Sequence, residues 1–257
     1  MATTDHMDIY LRILSLIDFT SLEGADCDKS IISLCHKAIY FGEQGLPVPA
    51  AVCIFSPFIK TARRELSGTG IRVATVAGGF PHGQVPIQAK LEEVTFAIDQ
   101  GADEVDIVFS RGAFIAGNHQ QVFDEIAVIR EYCQEQTLKV ILETGELSTL
   151  KLIAEASDMA LRAGADFIKT STGKIPEGAT KQAVEGMLGR IRNFHASTGV
   201  MKGIKPSGGI SEPEHALIFY NLVSSTLGES WLSKEYFRIG ASRLAGKLAD
   251  KILLKRE

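Results

Sequence analysis

The sequence of 257 residues predicts an α/β protein built as a single (β/α)8 TIM barrel. Eight short runs of apolar and β-branched residues alternate with longer stretches in which apolar residues recur with the period of a helix. Eight strand–helix units in a chain of this length are typical of a closed parallel barrel. An open doubly wound sheet would usually carry a GxGxxG motif after its first strand, and the sequence has none there.

Glycines and helical periodicity set the predicted boundaries. Gly101 and Gly164 would each end a helix just before a strand. The predicted strands are residues 15–20, 50–56, 71–77, 103–109, 138–144, 166–172, 201–207 and 237–242. The predicted helices are residues 28–41, 86–100, 118–135, 148–163, 180–197 and 211–227. Because no linker-like segment interrupts this alternation, residues 1–257 are interpreted as one domain.

Composition and charge argue against several classes of function. Hydrophobic residues make up 45% of the chain, and a net charge of -4 gives no basic surface for nucleic acid. The sequence shows no signal-peptide pattern and no apolar stretch approaching ~20 residues. The four cysteines form no CxxC pair, and the histidines lack metal-ligand spacing. We expect free thiols in a cytoplasmic protein, without a metal, and we leave a homodimer or higher homo-oligomer open.

Two lysines stand near the carboxyl ends of neighbouring predicted strands, where barrels hold their active sites. Lys169 follows Phe167 and Ile168, and Lys205 occupies a similar place on the next strand. Adjacent parallel strands lie ~4.8 Å apart, so inward lysines at matching heights would repel each other and favour a neutral, nucleophilic amine. Taken singly, Lys169 could instead extend its amine into water, and Lys205 could be a surface or phosphate-contacting residue.

Asp106 is a carboxylate within an apolar run, between Val105 and Ile107. Burying it would be costly unless it is paired, and two lysines in the barrel would pair with it. It could then accept and return protons as a general acid–base. The alternative is that Asp106 ends a loop, but Asp103 and Glu104 already supply the polarity expected of that loop.

Short glycine-containing turns follow the sixth, seventh and eighth predicted strands. Backbone N–H groups in such turns, and the start of a following helix, attract phosphate in many barrels. Each turn alone could be purely structural, but three consecutive ones with a neighbouring lysine favour a phosphate monoester. The candidate residues are Gly173, Lys174, Gly208, Gly209, Gly240 and Ser242.

Four further residues are candidate substrate contacts. Asp18 and Thr20 end the first strand and could bind a sugar hydroxyl, although a local turn explains them equally well. Cys53 lies on the second strand, where core packing is the competing interpretation. Thr170, the residue after Lys169, is the fourth candidate.

Several segments resemble the signature blocks of the deoxyribose-phosphate aldolase family, in the family's order. The resemblance extends over residues 15–242, nearly the whole chain, and its most specific block is DFIKTSTGK. The other blocks are LIDFT, AVCIFSPF, VAGGFPHG, ADEVDIVF, KVILETGEL, GIKPSGGI and FRIGAS. Arg243 departs from the family pattern, because many members carry a second serine there, and the third-strand block lacks an asparagine before Phe80-Pro81.

The resemblance implies a class I aldolase that splits 2-deoxyribose 5-phosphate without a metal or organic cofactor. Lys169 would form the Schiff base, while Lys205 and Asp106 would perturb its amine and transfer protons. The glycine turns, with Lys174 and Ser242, would hold the phosphate.

Other functions remain open at this point. Another Schiff-base aldolase could act on a keto acid or a ketose phosphate. A barrel isomerase could use Glu143 as its base and would form no adduct that borohydride traps. A sugar-phosphate-binding regulator without turnover is a third alternative, and the three polar residues Lys169, Lys205 and Asp106 argue against it.

Overall fold

Eight parallel strands form the centre of the structure, a computed structural model that describes residues 5–255. All eight predicted strands are present, and each is shorter than predicted. One reason is that backbone groups after the strand ends find other partners: the N–H of Thr172 donates to the Glu143 carboxylate, at 3.2 Å. The strands are β1 (Ile17–Thr20), β2 (Ala51–Phe55), β3 (Arg72–Ala77), β4 (Glu104–Val108), β5 (Thr137–Ile141), β6 (Phe167–Lys169), β7 (Gly203–Lys205) and β8 (Ile239–Ala241).

The strands pair in sequence order, and β8 pairs with β1. Two isolated parallel bridges, from Ile204 to Phe237 and from Ser207 to Gly240, join the β7 and β8 segments. The sheet therefore closes on itself, and the predicted TIM barrel is confirmed. In β6 and β7 the register sets Lys169 directly beside Lys205.

Helices surround the barrel. The six predicted helices are present within a few residues of the predicted bounds, and four others were not predicted: α1, α3, α5 and α10. Two of these, α3 and α5, are only 7 and 5 residues long, which gives little periodicity to detect. The helices are α1 (Asp5–Ser15), α2 (Asp28–Glu43), α3 (Ile59–Glu65), α4 (Ile87–Asp99), α5 (Arg111–Ile115), α6 (His119–Cys133), α7 (Leu150–Arg162), α8 (Lys181–Thr198), α9 (Pro213–Leu227) and α10 (Leu244–Leu253).

The main hydrophobic core lies between the strands and the helices. In β4, Val105 and Ile107 belong to this core, while Glu104 and Asp106 alternate with them and point to the barrel interior. Because of this alternation, the barrel interior is charged while the core around it is apolar. None of the helices between residues 5 and 255 has the length and apolarity needed to cross a bilayer.

Candidate active site

Charged side chains fill the interior of the barrel. They come from five strands and from the residue before β8, and each is at most 3% exposed. Ions buried to this extent are stable only when they are paired and hydrogen-bonded. The members of this interior ion cluster are Asp18, Glu104, Asp106, Lys139, Lys169, Lys205 and Arg238.

Asp106 is the centre of the interior ion cluster. Its Oδ1 accepts a hydrogen bond from Lys139 at 2.7 Å. Its Oδ2 accepts from Lys169 at 2.9 Å and from Lys205 at 2.7 Å. One carboxylate thus joins the two lysines that the sequence analysis paired, and the alternative that Asp106 ends a loop is wrong, because Asp106 lies in the middle of β4.

Two more carboxylates complete the ion pairs. Lys205 also contacts Asp18, and the Arg238 guanidinium bridges Asp18 and Glu104, at 2.6 Å to each. Lys139 lies 2.6 Å from Glu104. Every cation of the cluster therefore has a carboxylate partner, and Lys169 has Asp106.

Burial and neighbouring charges shift the pKa values of the two lysines in opposite directions. Burial lowers the pKa of Lys169, and the adjacent positive charge of Lys205 lowers it further, against the opposing effect of Asp106. Burial acts on Lys205 in the same direction, but Asp106 and Asp18 together raise its pKa above the ordinary value. Asp106 would be disfavoured as an anion by burial alone, yet its three ammonium neighbours hold its pKa well below the usual range. The Lys169 amine therefore loses its proton more easily than an ordinary lysine, beside a charged Lys205 and an ionised Asp106.

A cavity of about 330 Å³ opens at the carboxyl ends of the strands and reaches Lys169. Gly173, Gly208 and Gly209 on its wall have φ values of 76°, 84° and 75°, which L side chains rarely adopt. Lys174 also lines the cavity and lies 3.4 Å from Glu23. Such a wall offers backbone N–H groups and a nearby cation, both of which suit an anionic group.

The structure brings most of the predicted contact residues to this cavity and sets three of them apart. The predicted residues that line it are Thr20, Gly173, Lys174, Gly208, Gly209, Gly240 and Ser242, together with Arg243.

Asp18, Cys53 and Thr170 do not line the cavity, contrary to the expectation of direct contact. Asp18 is fully buried in the interior ion cluster. Cys53 packs in a small apolar cluster with Leu22 and Val76. The hydroxyl of Thr170 is fully buried and donates to the backbone carbonyl of Ser207, at 3.0 Å.

Three members of the interior ion cluster were not predicted from the sequence. Glu104 was expected to supply loop polarity, but it begins β4 and is fully buried. Lys139 and Arg238 carry the same signal as Asp106, a charge within an apolar run. Each stands near the start of a predicted strand, where a polar residue is easily assigned to the preceding loop.

The Glu143 carboxylate is hydrogen-bonded to Thr172. Its carboxylate accepts from the Thr172 hydroxyl at 2.5 Å and from the Thr172 N–H, and burial raises its pKa. It is not among the residues that line the cavity. This position gives no support to an isomerase that uses Glu143 as its base.

The fold and the cavity define the class of protein, an α/β-barrel enzyme with its site at the carboxyl ends of the strands. Sequence comparison then gives the family. Residues 12–222 match the family described as DeoC/LacD family aldolase, and the chain belongs to this family.

Individual relatives agree with this assignment. The chain is 40% identical to human deoxyribose-phosphate aldolase over 255 residues, which cover 94% of this chain and 80% of the human protein. A solved structure assigned as a deoxyribose-phosphate aldolase from Coccidioides immitis is 28% identical, with a TM-score of 0.80 over 94% of this chain and 86% of that one. The tetrameric deoxyribose phosphate aldolase from Aeropyrum pernix shares the fold, with 23% identity and a TM-score of 0.73 over 98% and 99% of the two chains.

Proposed function

We propose that this chain is a single-domain class I aldolase that reversibly cleaves 2-deoxy-D-ribose 5-phosphate to D-glyceraldehyde 3-phosphate and acetaldehyde. The observation that carries the proposal is the buried Lys169 amine, which lines the cavity while bonded to Asp106 and next to Lys205. Membership of the aldolase family and the identity of the human relative supply the substrate.

The reaction begins with the neutral Lys169 amine, which attacks the C1 aldehyde of the open-chain sugar. Loss of one water gives a protonated imine, and this cation withdraws electrons from the neighbouring carbons. The C2–C3 bond then breaks, because the two-carbon product retains C1 and C2. Its electron pair moves into an enamine on Lys169, while the C3 hydroxyl loses its proton and becomes the aldehyde of glyceraldehyde 3-phosphate.

Asp106 and Lys205 are proposed to move the protons. The C3 hydroxyl proton needs an acceptor, and C2 of the enamine needs a donor before one water releases acetaldehyde. Lys205 and Asp106 share a hydrogen bond of 2.7 Å, and Asp106 also bonds Lys169 at 2.9 Å. Positioned acid–base groups of this kind contribute about 10²- to 10⁴-fold to a rate.

The phosphate is proposed to bind the glycine-rich wall of the cavity. Gly173, Gly208 and Gly209 supply open backbone, and Lys174 and Arg243 supply positive charge. Helix α10 begins at Leu244, directly after this wall, so its amino end adds a favourable dipole. Binding energy from the phosphate would hold the reacting carbons against Lys169.

A substrate scan tests the proposal. Purified protein is given 2-deoxyribose 5-phosphate, a 2-keto-3-deoxy acid phosphate and a ketose bisphosphate, and acetaldehyde, pyruvate and triose phosphates are measured by coupled reduction. We expect acetaldehyde and glyceraldehyde 3-phosphate in equal amounts from the first substrate only. Pyruvate or dihydroxyacetone phosphate from the others would redirect the proposal to a different aldolase. If the protein cleaved none of the three substrates, the proposed aldolase function would be contradicted.

Setting and assembly are separate parts of the proposal. We propose a role in deoxyribonucleoside catabolism, in the cytoplasm, with a small sugar phosphate as the ligand and neither nucleic acid nor membrane as a partner. The free cysteines among residues 5–255 suit a reducing compartment. A homo-oligomer is proposed because the Aeropyrum pernix enzyme is a tetramer. Light scattering during size-exclusion chromatography measures the assembly, and a mass of 27.8 kDa would show a monomer instead.

A further inference from the structure

Lys139 is a fully buried lysine that does not reach the cavity. It projects from β5 into the barrel, where its ammonium donates to Asp106 Oδ1 at 2.7 Å. The same ammonium lies 2.6 Å from Glu104 and 3.6 Å from Asp18. It is thus surrounded by all three carboxylates of the interior ion cluster, and it bonds the Asp106 oxygen that Lys169 does not contact.

The two oxygens of Asp106 have different partners. Oδ1 is occupied by Lys139, and Oδ2 receives both Lys169 and Lys205. A carboxylate bonded on one oxygen cannot rotate freely, so Lys139 keeps Oδ2 directed at the two lysines of the proposed reaction.

The charges of the interior ion cluster balance only when Lys169 is neutral. Three carboxylates face three cations other than Lys169. They are Asp18, Glu104 and Asp106 on one side, and Lys139, Lys205 and Arg238 on the other. Arg72 also contacts Glu104, but its side chain is 34% exposed and it lies 3.8 Å from Glu235, so solvent and that carboxylate screen it.

We propose that Lys139 is a positioning residue of the aldolase reaction, which orients Asp106 and supplies the positive charge that leaves Lys169 uncharged and nucleophilic. This inference rests on the proposed function. Lys139 does not line the cavity, yet it would influence the pH range in which Lys169 can form the Schiff base.

Lys139 and Glu104 carry opposite charges, so removing one or the other should move the pH dependence of activity in opposite directions. The charged or titratable groups that act most strongly on Lys169 are Asp106, Lys205 and Cys53. Lys139 acts on Lys169 across Asp106, which it contacts, and Glu104 acts across Lys139. Replacing Lys139 by a neutral residue leaves one uncompensated negative charge near Lys169 and favours its protonated form, so the acidic limb of activity moves to higher pH. Replacing Glu104 by a neutral residue leaves one uncompensated positive charge and moves the limb to lower pH. Because Lys139 and Lys169 contact the two oxygens of one carboxylate, and the effective dielectric constant is about 20, each movement is on the order of one pH unit.

The experiment compares Lys139→Met, Glu104→Gln, the double variant and wild type. The pH profile of kcat/KM for 2-deoxyribose 5-phosphate is measured together with the rate of adduct formation trapped by borohydride. We expect the limb to move up in the first variant and down in the second. In the double variant, which restores the balance, it should return to near the wild-type position.

Lys90→Met is the matched control. Lys90 is also fully buried and paired, with Glu125 and Ser110, but it lies outside the interior ion cluster. Its loss should lower the melting temperature and leave the acidic limb in place. A Lys139→Met variant that behaves in the same way would reduce Lys139 to a structural role and overturn the inference.

Failure of the proposed function is seen separately, because wild type would then form no adduct and no acetaldehyde. Should Lys139→Met fail to fold, Glu104→Gln and the double variant carry the test. Limbs that coincide with wild type in both, or that move in the same direction in both, would overturn the inference.

Discussion

Replacing Asp106 by asparagine removes the carboxylate on which three buried ammonium groups converge, at 2.7, 2.9 and 2.7 Å. The replacement keeps the shape of the side chain and deletes its charge. Lys139 would retain Glu104, and Lys205 would retain Asp18. Lys169 would lose the carboxylate that it contacts within residues 5–255.

The expected loss of stability follows from these contacts. Removing one partner of a buried ion pair costs about 3–5 kcal/mol, and the remaining carboxylates favour the lower part of that range. In a domain of this size about 3 kcal/mol corresponds to a decrease of roughly 6–12 °C in melting temperature. The expected loss of turnover is about 10²- to 10⁴-fold, since the proposed proton transfers would lack their carboxylate.

Turnover and melting temperature of Asp106→Asn are compared with those of Asp103→Asn. Asp103 lies three residues away and pairs with Arg63 at 2.9 Å, with side chains 33% and 50% exposed. An exposed pair of this kind contributes about 0–1 kcal/mol, so this control should keep wild-type kcat. A folded Asp106→Asn variant whose turnover lies within about threefold of wild type would refute the assignment of Asp106 to proton transfer.

Three other perturbations test separate features. Because Arg243 lines the cavity, Arg243→Ala is expected to raise KM about tenfold for the phosphorylated substrate and to leave KM for plain 2-deoxyribose unchanged. Equal effects on the two KM values would exclude a phosphate contact. Gly178→Ala should lower kcat/KM about tenfold or more, because a Cβ at this position would overlap the backbone of Gly208. The control Gly186→Ala, where a Cβ would meet open space, should retain wild-type kinetics. A Gly178→Ala variant with wild-type kcat/KM would contradict this prediction. Although burial opposes ionisation, Lys139 and Arg238 hold the pKa of Glu104 below its ordinary value of 4.5, so its contribution to the free energy of unfolding is present above that pH and is lost as the pH falls through the depressed value. Melting curves between pH 6 and 3 should therefore decline less steeply for Glu104→Gln than for wild type, and equal slopes would disprove this coupling.

The sequence predicted those features that repeat along the chain. Alternating strand and helix patterns identified the barrel, and inward polar residues at strand ends identified Lys169, Lys205 and Asp106 as neighbours. Helix α10 could also have been predicted, because Leu244, Leu248 and Ile252 recur at helical spacing and are buried.

The features that were not predicted depend on strand register and on depth along the barrel axis, which a single sequence does not reveal. A shift of one residue turns a strand side chain from the barrel interior to the outer face, so Lys139 and Arg238 could not be distinguished from loop charges. Depth along the barrel axis likewise decides whether a strand residue touches substrate. Asp18 lies on β1, as does Thr20, yet only Thr20 lines the cavity.

Reductive trapping tests most directly whether Lys169 is the nucleophile. The protein is treated with borohydride in the presence of 2-deoxyribose 5-phosphate, digested, and mapped by mass spectrometry, with Lys169→Leu as the control. We predict one stable adduct on the peptide that contains Lys169, and none in the variant. An adduct on Lys205, or no adduct on a folded protein that binds the sugar phosphate, would contradict the account.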